Sequence, residues 1–232
     1  KLGLRPNHVT SIGFFFAVAA GFLFAYGHFG LGLVAGWIMT FLDTVDGKLA
    51  RVTVNSSHFG HLFDHAIDLV HPPFWYLAWG LGLVAFVPGL EWFTFEVAMW
   101  MVFGGYIAGR LVEGAFQHLL DPAGLFCWRP LDSYFRLITA RRNPSLIMLT
   151  LSLALGRPDL GLAAVALWTV ISTLFLIVRL GYGFYVRATS GPLRSWFADI
   201  DPDAPRPSLT ERIFSRRPGT RPGERTSTAG TP

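Results

Sequence analysis

Charge is scarce in this sequence. Asp, Glu, Lys and Arg make up 15% of its 232 residues, against roughly 25% in ordinary soluble domains. A water-soluble fold of this length would expose more surface than so few charges cover. With an apolar content of 52%, the bilayer is the solvent the composition fits. Cysteine is almost missing too. Cys127 stands alone, which excludes an internal disulfide and any cysteine-based metal cluster, and it reads as an inert thiol. No small-residue cleavage site marks a signal peptide near the amino end. The chain starts at Lys1 rather than Met, so residues upstream are expected to have been trimmed away. No internal repeat is visible, and the length suits one domain.

What is present is a series of apolar runs. Six have roughly the length a bilayer demands, about 20 residues: near 9–29, 31–54, 58–87, 93–119, 144–155 and 160–186. The fifth is short and is expected to gain length from Ser133–Arg142. Asn7 or Thr10 can cap the first helix after Pro6. Gly27–Gly30, Pro88-Gly89 and Gly156–Pro158 separate helices on one side. His71-Pro72-Pro73 is expected to kink the third. The expected fold is therefore all-α, an integral-membrane six-helix bundle with a polar cavity facing the cytoplasm.

The domain reading is a transmembrane unit over 1–189 and a basic, Pro/Arg-rich, disordered cytoplasmic tail over 190–232. The formal net charge of +4 owes much to that tail, so anionic lipid headgroups explain the basic balance more simply than nucleic acid does. With the amino terminus inside, Lys48, Arg51, Arg129, Arg136, Arg141, Arg142 and Arg187 face the cytoplasm. Only Arg157 falls outside, a strong positive-inside asymmetry.

The second and third runs carry acids that a lipid-facing helix could not hold. An Asp at a helix centre costs roughly 2.5–3.5 kcal/mol on insertion scales. Asp43 and Asp46 are three apart, and Asp64 and Asp68 four apart, so each pair shares a helix face. A tight turn near Asn55–Ser57 would make the two helices antiparallel neighbours and bring the four carboxylates to one level. Hard oxygen ligands at that density suit two divalent cations, Mg²⁺ or Mn²⁺. Gly47, Ala50 and Gly60 leave room for close backbone approach, and Arg51 can meet a phosphate with its planar fork.

Asp43-x2-Asp46-Gly47-x2-Ala50-Arg51-x8-Gly60-x3-Asp64-x3-Asp68 resembles the signature of the CDP-alcohol phosphatidyltransferases, without departure at its eight fixed positions. The six-run layout and Pro6-Asn7-x2-Thr10 extend the likeness over most of the chain. The resemblance implies that Asp43, Asp46, Asp64 and Asp68 bind metal and that Asp68 also deprotonates the acceptor hydroxyl. It implies that Gly47, Ala50, Arg51 and Gly60 contact CDP. It further implies a CDP-linked lipid donor such as CDP-diacylglycerol, a small polar alcohol acceptor, release of CMP, and a homodimer. A multi-pass protein of the bacterial inner (plasma) membrane would follow.

The acceptor stays open. Arg110, Arg179, Arg141 and Arg142 are candidates for a phosphorylated alcohol, inositol phosphate or glycerol phosphate. Arg110 fits a pair with Glu113 equally well, Arg179 has no partner in its own helix, and Arg141 and Arg142 also serve as topology signals. An unphosphorylated amino alcohol (serine, choline, ethanolamine) is the alternative acceptor. A prenyltransferase or a divalent-cation transporter is the rival class, but neither needs Gly47, Ala50, Arg51 and Gly60 in this register. His58, His61, His65 and His71 fit packing better than ligation, and the tryptophans fit aromatic belts.

Overall fold

A computed structural model describes residues 6–53, 58–87, 92–200 and 208–214, and its regular elements are all helical. They are α1 (Pro6–Ala25), α2 (Phe29–Thr53), α3 (His58–Phe86), α4 (Trp92–Leu119), α5 (Pro130–Ile138), α6 (Arg142–Ala154), α7 (Pro158–Ser190) and α8 (Leu209–Phe214). Short 3-10 turns lie at Leu125–Cys127 and Trp196–Asp199. The all-α expectation holds among the described residues.

Local chemistry sets several ends. Gly27 turns the chain out of α1 with φ of 75°, a left-handed conformation that costs glycine little. Pro158 opens α7, where its missing N–H would have had no helical partner. The helix α3 continues through Pro72 and Pro73. Asn55–Ser57 and Pro88-Gly89, expected as turns, lie outside the described residues.

The fifth run differs from expectation. Ser133–Arg142 does not lengthen α6, because the chain leaves helical geometry at Thr139, with ψ of 153°. Side chains of α7 satisfy the backbone groups that the break exposes. The Trp168 indole donates to the Ile138 carbonyl at 2.6 Å, and the Ala140 N–H donates to Ser172 Oγ at 3.0 Å. A buried break is tolerable only with such partners.

Three helical stretches are long and apolar enough to cross a membrane: Leu69–Phe86, Thr94–Leu119 and Pro158–Ser190. Thr10–Ala25 and Phe29–Val45 are shorter apolar helices. Large apolar side chains point outward along them, among them Phe15 at 67% and Trp100 at 80% exposure. Water penalises such area at about 25 cal/mol per Å², whereas lipid does not. The short helix α5 carries the same signature, with Leu131, Leu137 and Ile138 outward and Asp132 and Ser133 buried.

Inside, α1 packs on α2 and α3, and α7 on α4 and α6. The main core gathers around Phe24, Trp79, Leu83, Val102 and Leu146, each fully buried. Gly82 permits a close crossing of α3 with α1, since a Cβ there would run into the Phe24 carbonyl. A second cluster around Phe116, Leu125, Trp128 and Leu176 closes the far ends of α4 and α7.

Part of the segment after α7 is packed against the protein. Residues 191–200 and 208–214 fold back onto α5 rather than leaving the protein: Leu193 is buried in the second cluster, and the Phe214 ring meets Tyr134 edge-on at 5.0 Å. The overall polarity of the segment hides one buried leucine, Leu193, and a few half-buried aromatic residues, Trp196, Phe197 and Phe214. Residues 201–207 and 215–232 lie outside the described residues.

Candidate functional site

The signature residues fall on two helices. Asp43, Asp46, Gly47, Ala50 and Arg51 belong to α2, and Gly60, Asp64 and Asp68 to α3. The spacings of three and four therefore act as helical spacings. Of these side chains only Asp43 is among the described residues; Asp46, Gly47, Ala50, Arg51, Gly60, Asp64 and Asp68 lie outside them at side-chain level. Among the described residues no group of three or more His, Cys, Asp or Glu is poised to hold a metal. The donor set itself is all carboxylate, which fits a hard divalent cation.

Asp43 has a partner from far along the chain. Its Oδ2 accepts from Arg142 Nη2 at 2.6 Å, with both side chains largely buried. Arg142 begins α6, so this ion pair ties the signature helix to the corner that follows α5.

That corner opens into a cavity of about 420 Å³. Four cations line it: Arg110 from α4, Arg136 from α5, and Arg141 and Arg142 at the start of α6, with Tyr106 and Asn143 among the other lining residues. The Tyr106 hydroxyl donates to the Leu69 carbonyl at 2.8 Å and so bridges α4 to α3. Glu113 takes two of the cations, pairing Oε1 with Arg110 and Oε2 with Arg141, the latter at 2.9 Å. The sequence left Arg110 between a Glu113 pair and a ligand contact, and it has the pair while also lining the cavity. Arg110 and Arg141 each keep a buried Nε–H with no acceptor. A buried donor without a partner costs roughly 1–3 kcal/mol, and an oxyanion in the cavity would relieve that cost.

Arg179 is placed apart from the other three candidate arginines. It is not among the residues lining the cavity. Its Nε and Nη2 donate to Oδ1 and Oδ2 of Asp132 at 2.6 and 2.7 Å, and its guanidinium sits 4.5 Å from the Trp128 ring centre. Asp132 is fully buried, and its Oδ2 also accepts the Arg129 backbone N–H at 3.1 Å. The sequence offered Arg179 no partner within α7; the partner comes from α5, 47 positions away. Asp132 does have a local signature, three residues beyond the N-cap Arg129 as a capping acid. Its second role has none.

Cys127 stands at the edge of this region, and burial pushes its thiol up from the ordinary value, opposed in part by the Arg136 charge. That agrees with the inert reading.

The aspartate-bearing helices and an arginine cavity joined to them are what the comparisons with known proteins bear upon. Residues 4–115 match the family model for CDP-alcohol phosphatidyltransferases. The chain carries a domain of that family. Among CDP-alcohol phosphatidyltransferase relatives it is 39% identical to the archaetidylinositol phosphate synthase of Pyrococcus horikoshii, over 29% of this chain and 36% of that one. It is 37% identical to choline/ethanolaminephosphotransferase 1 of Arabidopsis thaliana, over 34% of this chain and 23% of that one. It is 38% identical to choline/ethanolaminephosphotransferase 2 of the same plant, over 29% and 20%. The matches thus span between about a fifth and about a third of these relatives. No solved structure matches the chain. The family match ends within α4, so Arg136, Arg141 and Arg142 all lie beyond it.

Proposed function

We propose that the chain moves a phospho-alcohol group from a CDP-linked lipid, such as CDP-diacylglycerol, to a small polar alcohol that already bears a phosphate, with CMP released. The observation that carries this reading is the cavity with four arginines, anchored to the signature helix through Arg142 and Asp43. Among the described residues Glu113 and Asp43 offset two of the four cations, so the surplus there is positive and suits a phosphate monoester such as inositol phosphate or glycerol phosphate.

In this reading Asp43, Asp46, Asp64 and Asp68 hold two divalent cations, Mg²⁺ or Mn²⁺. Bound there, the cations neutralise charge on the pyrophosphate. Gly47, Ala50, Arg51 and Gly60 seat the CDP. The acceptor oxygen forms a bond to the lipid-side phosphorus, the bond from that phosphorus to the CMP oxygen breaks, and Asp68 takes the hydroxyl proton. Arg110, Arg141 and Arg142 grip the acceptor phosphate from the other side. Arg179 is assigned a positioning role through Asp132. The positive-inside pattern puts this end of a six-span bundle toward the cytoplasm of the bacterial inner membrane, and the family likeness supports a homodimer.

A second reading keeps the chemistry and changes the acceptor. The Arabidopsis relatives carry choline and ethanolamine in their names, which supports an amino alcohol. A cationic acceptor would meet surplus like charge in this cavity, so the phosphorylated acceptor is preferred.

The test is CMP release from labelled CDP-diacylglycerol in detergent, with Mg²⁺ or Mn²⁺ and a panel of phosphorylated and unphosphorylated alcohols. Release is expected with a phosphomonoester, and R110A or R141A is expected to raise its KM by roughly tenfold or more, as for a lost charge-assisted hydrogen bond. Turnover with choline, ethanolamine or serine alone would move the assignment to the second reading. Cation flux into liposomes without CDP, and no CMP release, would sink both.

A further inference from the structure

The arginine cavity is built partly on α5, a nine-residue helix with few ways to hold its own position. One side is fixed by α7, through the Arg179–Asp132 pair and the Phe135–Phe175 stack at 3.8 Å. The other side meets the segment that follows α7. Ser133 Oγ, buried on α5, donates to the Phe126 carbonyl at 2.7 Å and accepts from the Trp196 indole at 2.9 Å. Ser195 Oγ donates to the Cys127 carbonyl at 2.6 Å. Tyr134 shares a hydrogen bond of 3.1 Å with Thr210. The bonds from Trp196, Ser195 and Thr210 reach α5 and the turn before it across 63, 68 and 76 positions of sequence. Arg136 and Leu137, which line the cavity, follow Ser133 and Tyr134 on the same helix by one turn.

We propose that the segment after α7, through Trp196 and Ser195, is a clasp that sets the position of α5 and thereby the affinity of the arginine cavity for a phosphorylated acceptor. The proposal rests on the acceptor reading given above. Its physical basis is that one helical turn carries rigid displacement well: a shift of α5 at Ser133 moves Arg136 and the Thr139–Arg141 corner together. The clasp touches neither α2 nor the described part of α3 through these bonds, so CDP affinity is independent of it. Trp196 and Ser195 are positioning residues and line no part of the cavity.

The experiment titrates the full chain in detergent with inositol phosphate, glycerol phosphate and CDP, reading ligand-induced thermal stabilisation. The proteins are wild type, W196F, S195A and R141A. W196F keeps the ring and removes the donor, so the fold is preserved; S195A is a second, smaller change at the neighbouring bond. The expected result is a roughly fivefold weaker Kd for the tighter-binding phosphomonoester in W196F and S195A, the size of one lost hydrogen bond, with the CDP Kd unchanged. R141A should weaken the same phosphomonoester by more. If R141A weakens it while W196F and S195A do not, the clasp is refuted and the acceptor cavity stands. Weakening of CDP by the same factor in W196F would also refute the clasp, since the effect would then be general loosening. If wild type binds neither phosphomonoester, or R141A binds as wild type does, the acceptor reading fails and takes the clasp with it.

Discussion

Replacing Asp132 by Asn keeps the shape of the side chain and removes the charge that Arg179 answers. The carboxylate is fully buried and the arginine is 11% exposed, so little water is available to take its place. Both carboxylate oxygens are engaged by the guanidinium, and Oδ2 also accepts the Arg129 N–H. In D132N one amide oxygen remains to accept, and the amide group presents hydrogens to a guanidinium. Breaking a buried pair by removing one partner costs about 3–5 kcal/mol. For a chain of this size each kcal/mol moves Tm by about 2–4 °C, so D132N is expected to melt at least about 6 °C below wild type. Melting would be followed by tryptophan fluorescence in detergent, since Trp128 stacks on Arg179 and reports locally. R179M and the double variant complete a cycle. The double variant should be destabilised by less than the sum of the singles, because removing both charges leaves none uncompensated. A D132N shift under about 2 °C, or strict additivity in the cycle, would refute the reasoning from burial and bidentate geometry.

Two further outcomes are expected. Gly82→Ala should destabilise by about 1–3 kcal/mol, as overpacking does, because the new methyl meets the Phe24 carbonyl of α1; a melting point within 1 °C or so of wild type, ~0.5 kcal/mol or less, would contradict that close crossing. Cys127, its thiol raised by burial, should alkylate more slowly than a free cysteine (pKa about 8.5) at pH 8 and react at the free rate once the chain is unfolded. The sign follows from the raised value. The folded state favours the protonated thiol, so that stabilisation is full below the unfolded pKa and fades as pH rises through the folded one. Labelling of the native protein at the free rate would place the thiol in water.

How much was legible in advance varied by residue. Gly27 ended α1 and Pro158 opened α7 where their backbone chemistry said they would. The aspartate spacing placed its residues on two helices, because a helical period is a local property. The fifth run misled, since whether Ser133–Arg142 continues as helix depends on Trp168 and Ser172 arriving from α7. The segment after α7 shows the same dependence on distant partners: its average composition is that of a disordered chain, while the Trp196 indole donates to buried Ser133 and the Phe214 ring meets Tyr134, both on α5.

By itself the sequence determined the solvent, the all-helical character and the signature that identifies the domain, since each depends on composition or on spacing within one or two neighbouring helices. Only the tertiary structure decided which arginine does what. Arg142 faces Asp43 across 99 positions, Arg141 shares Glu113 with Arg110, and Arg179 is drawn to Asp132 and away from the cavity. Those choices follow from how each helix is rotated and packed against its neighbours. A guanidinium reaches whichever carboxylate the packing brings within a few ångströms, and nothing in the local period of a helix records which one that will be.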